Sequence, residues 1–333
     1  MTKRRKCIST IILVLFCTLN LNAQSNTVLS QYFSTPLFYN PGSAGDNNSI
    51  NIIGAGQIQH TKPTLEIKNG KASADMPLAI NNHLTGIGVM ADYSSIGAYR
   101  SFNASLIGSW KIKVGEGNLS IGITPGVSDI KIKPVDQKND SQSEKWKSNT
   151  TKHKTRFDFG AGLWYKTRQW WTGISATHIG TKSQRSSPTD FVNQSRTENE
   201  ENEEATKSGE YDFSTGMAFY FIAGGNIVIK SSLLDLEPSL LAAYSGNKLN
   251  GQATLRAIWK KTVWIGSGYR SDHSTPLMLG VDIKGFRLGY SYILPVNQPS
   301  KDRHNGHEIT AGYRLRLDLP KKSRHRHKSV RIM

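Results

Sequence analysis

The sequence predicts an all-β protein: a transmembrane antiparallel β-barrel of about fourteen strands, with an N-terminal periplasmic or plug segment. Three observations lead to this prediction. Segment after segment alternates apolar with polar or small side chains at period two. The connections between these segments alternate between short turns and long polar loops, and the chain begins with features of an export signal.

Residues 1–23 have the features of a secretory signal peptide. Residues 3–6 form a basic start, residues 11–17 form an apolar run, and Ala23 is a small residue suited to cleavage before Gln24. The apolar run is too short for a membrane anchor, which needs about 20 apolar residues in a row. The mature chain is therefore expected to leave the cytoplasm.

Cysteine and charge content limit the possible chemistry. Cys7 and Cys17 both lie inside the predicted signal, so the mature chain cannot rely on disulfides or on a cysteine-bound metal. The chain has 42 Lys+Arg against 25 Asp+Glu. For an exported protein this excess favours lipid headgroups, peptidoglycan-associated partners or acidic proteins, and not nucleic acid, as partners. Part of it lies in a predicted basic periplasmic tail, residues 320–333, with Lys321, Lys322, Arg324, Arg326, Lys328 and Arg331.

Two-faced strands follow one another through residues 50–319, the predicted barrel. In "HEITAGYRLRL", residues 307–317, every second side chain from Ile309 to Leu317 is apolar, and the residues between them are polar or small. The same alternation predicts strands at residues 50–59, 64–76, 84–93, 99–111, 117–130, 155–166, 169–179, 211–221, 226–244, 249–259, 262–270, 276–283, 286–294 and 307–317. The polar residues expected to face the lumen are Arg256, Asp282, Arg287, Glu308, Arg314 and Arg316.

The connections distinguish a membrane barrel from a soluble β-sandwich. The short ones are residues 79–83, 114–118, 167–168, 223–225, 260–261 and 284–285. The long polar ones are residues 131–154, 180–210 and 295–306. Outer-membrane barrels have short periplasmic turns, long external loops and both termini in the periplasm, whereas a sandwich has no reason to sort its loops in this way.

Aromatic residues cluster at two of the predicted periplasmic turns. Trp164, Tyr165, Trp170 and Trp171 flank residues 167–168, and Trp259 and Trp264 flank residues 260–261. We interpret them as the interfacial girdle of a membrane barrel. The many strand glycines are interpreted as an aid to a curved, closing sheet.

No motif predicts catalysis. The sequence has no HExxH motif, no paired-cysteine ligand set, no phosphate-binding loop and no nucleophile elbow. His325 and His327 lie among basic residues, which disfavour the binding of a cation. We therefore expect no enzyme activity, no cofactor and no metal.

Residues 24–49 precede the first strand and contain "QYFSTPLFYNPGSAG", residues 31–45, which fits neither a helical nor a strand period. This stretch resembles the N-terminal signature of the PorP/SprF family, the outer-membrane proteins of the type IX secretion and gliding machinery in Bacteroidota. The resemblance extends from about residue 29 to residue 317. It includes "SADMPLAINNHLTGIGV" (73–89), "WWTGISATHIG" (170–180), "YDFSTGMAFY" (211–220), "LEPSLLAAY" (236–244), "VWIGSGYR" (263–270), "FRLGYSYILP" (286–295) and "GHEITAGYRL" (306–315).

The resemblance implies an outer-membrane barrel that contacts membrane lipid and is not itself a large secretion pore. Such proteins are thought to associate with periplasmic ring proteins and a peptidoglycan-binding partner. Some help to deliver, or to hold at the surface, secreted cargo that carries a C-terminal secretion domain. The resemblance thus implies protein partners for this chain and no nucleic acid.

The opening stretch has two possible roles, a plug of the barrel or a docking element for a partner. Its prolines stiffen the backbone, and its aromatic residues can anchor it by burying apolar area. The residues expected to carry either role are Gln31, Tyr32, Phe33, Pro36, Leu37, Tyr39, Asn40, Pro41 and Gly45.

The end of the chain departs from the family pattern, because the last strand continues into "KKSRHRHKSVRIM". We hypothesise that this tail is a periplasmic tether to anionic lipid or to an acidic ring protein. Two other functions remain open. An outer-membrane transporter for hydrophobic small molecules would need a continuous apolar tunnel, and a surface scaffold would bind through residues 131–154 and 180–210.

Overall fold

The computed structural model describes a chain that is mostly β-strand. The described residues are 28–61, 65–80, 83–96, 99–132, 152–179, 216–230, 233–245, 248–296 and 304–317. The predicted signal peptide, most of the long loops and the basic tail lie outside these ranges. Among the described residues, no helix is long and apolar enough to cross a membrane.

The strands form one closed antiparallel barrel. They are β1 (Ser49–Thr61), β2 (Leu65–Ile80), β3 (His83–Ile96), β4 (Tyr99–Val114), β5 (Gly117–Ile132), β6 (Lys152–Lys166), β7 (Trp170–Thr177), β8 (Ala218–Gly225), β9 (Ile227–Lys230), β10 (Leu234–Ser245), β11 (Lys248–Trp259), β12 (Val263–Arg270), β13 (Ser274–Ile283), β14 (Phe286–Pro295) and β15 (His304–Arg316). β8 and β9 both pair with β10 and are two parts of one barrel strand. Each barrel strand pairs with the next, and β15 pairs with β1 from Ser49–Arg316 to Thr61–His304. The predicted barrel of fourteen strands is therefore confirmed.

The alternation of side chains explains why these segments form a membrane barrel. In β15, Ile309 is 55% exposed on the outer face, whereas its neighbour Glu308 is 0% exposed. In β13, Leu279 is 57% exposed and Met278 only 3%. An apolar outer face suits the hydrocarbon of a bilayer, and closure leaves no unpaired sheet edge in it.

The turn predicted at residues 223–225 is wrong. The strand continues through this stretch as β8 and β9, so the turn comes after Lys230. The predicted strand 226–244 therefore combined β9, which is the end of one barrel strand, with β10, which is the next barrel strand. Gly224 and Gly225 indicated a turn in the sequence, but they allow the rings of Trp171 and Trp170 to pack directly on the backbone.

A local irregularity divides β8 from β9 at Asn226. The ladder with β10 has the pairs Gly224–Ser239 and Ile227–Leu236, and Pro238 between them has no N–H to donate. The Asn226 N–H donates instead to the carbonyl of Gln169, on the other side, at 2.8 Å. The strand is thus held through its break by the β7 side of the barrel.

Half of the predicted aromatic girdle faces the lumen. Trp170 and Trp259 are exposed on the outer face, as expected of interfacial residues. Trp164 and Trp264 are buried, and the Trp164 ring stacks on Trp171 with 5.2 Å between centroids. Because adjacent strand residues point to opposite faces, a Trp-Trp pair such as Trp170 and Trp171 cannot lie wholly in lipid.

Candidate functional site

The residues before β1 pass through the inside of the barrel. We call residues 28–48 the N-terminal segment. It contains three short 3-10 helices, Tyr32–Ser34, Pro36–Phe38 and Pro41–Ser43. Two of them begin with proline, whose fixed φ suits the first position of a helix and whose missing N–H would have no partner there. Most of the segment is buried, and its contacts reach inward-facing residues of strands all around the barrel.

Glu308 of β15 fixes the upstream half of the segment. Its carboxylate accepts the backbone N–H of Ser30 at 2.6 Å and that of Gln31 at 2.9 Å. It also accepts the Gln57 side-chain amide of β1 at 3.1 Å. The side-chain amide oxygen of Gln31, Oε1, in turn accepts the Thr310 hydroxyl at 2.7 Å. Charge-assisted hydrogen bonds of this kind are stronger than neutral ones, so Glu308 is a principal attachment point.

Tyr32 attaches the segment to the β10–β11 side of the barrel. Its hydroxyl donates to Ser239 Oγ at 2.9 Å, and Gln252 Nε2 donates to the carbonyl of Ser30 at 2.8 Å. Burial raises the pKa of Tyr32 to about 12, because the phenolate would lose its hydration inside the barrel. The phenol therefore stays protonated at physiological pH and remains a hydrogen-bond donor.

Tyr39 orders the segment against itself. Its hydroxyl accepts the backbone N–H of Leu29 at 2.9 Å, and its ring meets Tyr220 of β8 edge-on, 5.5 Å between centroids. Burial also raises the pKa of Tyr39 well above its ordinary value. The fold of the segment thus depends on a phenol as well as on its 3-10 helices.

Asn40 joins the segment to β6 and β7. Its Nδ2 donates to the carbonyls of Leu163 at 2.9 Å and Ile174 at 3.1 Å, while Oδ1 accepts the Gly42 N–H at 2.8 Å as a helix N-cap. One buried side chain therefore uses three of its hydrogen-bonding positions to bind the barrel wall and to start the last 3-10 helix.

The downstream end of the segment is held by charged residues. Gly45 adopts a φ of +61°, which favours glycine, and its N–H donates to Asp75 Oδ2 at 2.7 Å. The Lys111 ammonium donates to the Gly45 carbonyl. Lys166 reaches Asp46 and Asn47, both at 2.7 Å. The chain is thus fixed on several sides just before it enters β1.

Inward-facing glycines of the barrel wall make room for the segment. A Cβ at any of these positions would collide with it: at Gly86 with the Ala44 carbonyl, at Gly122 with Pro41 and Gly42, at Gly162 and Gly173 with Asn40, and at Gly289 with Gln31. Strand glycines were expected to aid curvature. At these five positions the structure supplies a different reason, the close approach of the segment, with its backbone at Gly86 and Gly122 and with its side chains at the other three.

A cavity of about 890 Å³ lies at the end of the barrel that carries the short turns. We call it the short-turn cavity. Its apolar lining includes Phe33 of the segment and the inward-facing Trp164 and Trp264. Its basic lining residues are Lys166, Arg168, Arg256, Lys261, Lys284, Arg287, Arg314 and Arg316, and its acidic ones are Asp46, Asp235, Glu237 and Asp282.

Phe33 and Arg256 connect the segment to this cavity. The Phe33 ring meets Trp264 edge-on at 5.6 Å, and the Arg256 guanidinium lies 4.3 Å from the Phe33 centroid. Arg256 also forms an ion pair with Glu237. A cation that contacts an aromatic face and a carboxylate together is held in one position, so this arginine is a fixed part of the cavity wall.

The six residues predicted to face the lumen, Arg256 among them, separate into two places. Glu308 lies under the segment, whereas the remaining five line the short-turn cavity. There Arg287 lies 3.6 Å from Asp282, and Arg314 Nε donates to Asn51 Oδ1 at 3.2 Å. The basic residues Lys321 to Arg331 lie outside the described residues.

Leu37 was among the predicted residues of the segment, and it packs with Ala44 and Ile107 in a small cluster. Two other contact residues, Lys111 and Asp75, were not predicted from the sequence. Both bind Gly45. Each stands on the inner face of a strand, so alternation could have identified them as lumen-facing but not as contacts of Gly45. Among the described residues, no group of three or more His, Cys, Asp or Glu side chains could hold a metal ion; the absence of a metal stays a prediction.

A closed barrel with an apolar outer face and a polar, occupied lumen defines an outer-membrane β-barrel protein. Residues 21–313 match the sequence model of the family described as "Type IX secretion system membrane protein PorP/SprF". The chain belongs to this family, and it is an outer-membrane protein.

Solved structures of outer-membrane proteins are similar to this chain. The toluene transporter TbuX of Ralstonia pickettii aligns with a TM-score of 0.50 and 9% identity, over 85% of this chain and 94% of its own. Omp33 of Acinetobacter baumannii aligns with a TM-score of 0.46 and 7% identity, over 81% of this chain and 100% of its own. At such identities the likeness to TbuX concerns the fold alone. No curated protein sequence matches the chain at a significant level.

Proposed function

We propose that this protein is a non-enzymatic barrel component of the type IX secretion and gliding machinery. In this function it associates with periplasmic ring proteins and a peptidoglycan-binding partner, and it helps to deliver or anchor cargo with a C-terminal secretion domain. The observation that carries the proposal is the family match, which extends over residues 21–313 and thus over nearly the whole barrel. A barrel fold by itself would support many functions.

The N-terminal segment is best understood, in this proposal, as a plug. Tyr32, Gln31 and Asn40 are fully buried, and the Tyr32 hydroxyl, Gln31 Oε1 and Asn40 Nδ2 form hydrogen bonds with the barrel wall. A docking element would have to expose such residues to a partner, at the cost of these hydrogen bonds. We therefore propose that partners contact the two ends of the barrel. In the same proposal both termini lie on the periplasmic side, as in other outer-membrane barrels.

Purification from native outer membranes tests the proposed function. The tagged chain should co-purify with ring proteins, the peptidoglycan-binding partner or a secreted cargo, as identified by mass spectrometry. Its deletion should remove the cargo from the cell surface. An unrelated outer-membrane barrel with the same tag is the control. If only lipid co-purifies and cargo delivery is unchanged, the proposal is wrong.

A transporter for hydrophobic small molecules is the second candidate, since TbuX, a toluene transporter, shares the fold. It requires a continuous apolar passage. Against it stand the polar contacts of the lumen, among them Glu308 with Ser30 and Asn40 with Leu163. Uptake of radiolabelled toluene by proteoliposomes separates the two functions: the secretion component should show no uptake above empty liposomes, and saturable uptake would favour the transporter.

A further inference from the structure

We propose that the short-turn cavity binds an acidic peptide segment of a partner protein. The charge of its lining is the first argument. Three ion pairs neutralise part of it: Lys166 with Asp46, Arg256 with Glu237, and Arg287 with Asp282. Within the described part of the chain, this leaves five basic lining residues against one acidic residue without an ion pair. The five are Arg168, Lys261, Lys284, Arg314 and Arg316, and the acidic residue is Asp235.

The shape and chemistry of the cavity favour a peptide over a small anion. A volume of about 890 Å³ is at the upper end of the range of ligand sites and far exceeds the needs of an inorganic ion. Apolar surface from Phe33, Trp164 and Trp264 lies beside the charged groups. A peptide with carboxylates and apolar side chains can use both kinds of surface, whereas phosphate can use only the first.

Other occupants fit less well. The basic tail carries charge of the same sign as the lining and would be repelled by it. The chain's acidic stretch "TENEENEEATKSGE", residues 197–210, lies in the sequence between Thr177 and Ala218, and these two strand ends are at the opposite end of the barrel from the cavity. A lipid headgroup would have to leave the bilayer to enter a cavity enclosed by strands. The charge complementarity therefore points to a separate protein chain.

Two arginines allow a direct test. Arg314 and Arg316 occupy the inner face of β15 at its short-turn end and line the cavity. The double variant R314Q/R316Q removes two positive charges and keeps polar, hydrogen-bonding side chains. Arg100 and Lys131 provide a matched control, because they pair across β4 and β5 at the long-loop end and are both exposed. The control variant is R100Q/K131Q.

The probe is a fluorescein-labelled peptide of alternating Glu and Gly, measured by fluorescence anisotropy with the purified full chain in neutral detergent at low salt. We expect binding that weakens with added salt, and no binding of the same peptide with Gln in place of Glu. R314Q/R316Q should raise the Kd roughly tenfold, which corresponds to two ion pairs of modest strength. The control variant should keep the Kd of the unaltered chain.

Three results would overturn the proposal: no binding of the Glu peptide, an equal loss in both double variants, or complete displacement by inorganic phosphate at the peptide's own concentration. The last would assign the cavity to a small anion. The proposal rests on the proposed function, because it assumes a protein partner at this end of the barrel. The two can nevertheless fail separately, since peptide binding is measured without the secretion machinery and co-purification without the peptide.

Discussion

Glu308 has an unusual position for a carboxylate, fully buried at the contact between the closing strand and the N-terminal segment. A buried charge is tolerated only when hydrogen bonds replace its hydration. Here two backbone N–H groups and the Gln57 amide do so. The sequence indicated that Glu308 faces the lumen, because it alternates with Ile309. Its partners could not be predicted, since they are 277 and 278 residues away along the chain.

Replacement of Glu308 by alanine should release the upstream half of the segment. The backbone N–H groups of Ser30 and Gln31 would lose their acceptor in a buried place, at a cost on the order of 3 kcal/mol. Limited proteolysis of the folded barrel in detergent should then cleave within residues 28–45, which the unaltered chain protects. E116A is the control, because Glu116 is exposed in the turn between β4 and β5. Equal protection in E308A and the unaltered chain would contradict this role.

The hydroxyl of Tyr32 gives the segment a predictable response to alkaline pH. Its pKa rises from 10.0 to about 12 on folding, so its contribution to stability is complete below pH 10 and is lost as pH rises through 12. Y32F should be about 1 kcal/mol less stable than the unaltered chain near neutral pH. The difference should shrink above pH 10 in urea unfolding followed by tryptophan fluorescence. Parallel stability profiles of the two proteins up to pH 12 would refute this assignment.

At the scale of elements, the barrel wall and the segment fit because the wall lacks side chains where the segment runs. Gly122 of β5, Gly162 of β6 and Gly173 of β7 face the third 3-10 helix and its cap across three neighbouring strands. Glycine weakens an isolated strand, so this arrangement exchanges strand stability for close contact between the wall and the segment. The segment is therefore packed as part of the wall.

A methyl group at Gly122 should displace the segment. The new Cβ would overlap the backbone of Pro41 and Gly42, and overpacking of this kind costs about 1–3 kcal/mol. Gly108 of β4 is the matched control, because it lies beside this region of β5 and a Cβ there would meet no atom within 4 Å. The measurement is the temperature at which the compact barrel band disappears on semi-native gels. We expect a lower temperature for G122A than for G108A, and equal values would exclude close packing at Gly122.

The sequence predicted the strands better than it predicted the turns between them or the path of the N-terminal segment inside the barrel. Alternation identifies β13, β14 and β15 because one face of each is in lipid, which imposes a strict period on the side chains. The continuation of the strand through residues 223–225 was missed because two glycines that accommodate Trp170 and Trp171 resemble the glycines of a turn. The path of the segment was not predictable, since its hydrogen bonds go to inward-facing residues far along the chain.

At the scale of the whole molecule, the barrel has two unlike ends and a filled middle. The segment contacts Glu308 of β15 at its upstream end and Lys166 of β6 at its downstream end, and Asn40 between them also binds the wall. It thereby bridges opposite walls of the lumen. A barrel of this size without such a segment would leave more open space along its axis. We expect the purified chain to give no steady open channel in planar lipid bilayers at neutral pH. Steady conductance that is unchanged in E308A would show that the segment does not block the lumen.

The orientation of the barrel can be tested with single cysteines. The mature chain is expected to have none, because Cys7 and Cys17 belong to the predicted signal. A cysteine in place of Ser195, in the long connection after β7, should react with a membrane-impermeant maleimide on intact cells. A cysteine in place of Lys284, in the short turn after β13, should react only after the outer membrane is opened. The reverse labelling pattern would place the termini outside.

The order of the chain has a consequence for assembly. The residues enclosed by the barrel are synthesised before any of the wall, while Glu308, which holds Ser30 and Gln31, belongs to the last strand. That same strand closes the sheet by pairing with β1. We therefore expect the opening residues to lie along the forming sheet before β15 arrives, so that a single step closes the barrel and encloses them. Insertion into the membrane would then be a wrapping process, in which the beginning of the chain is the core around which the end folds.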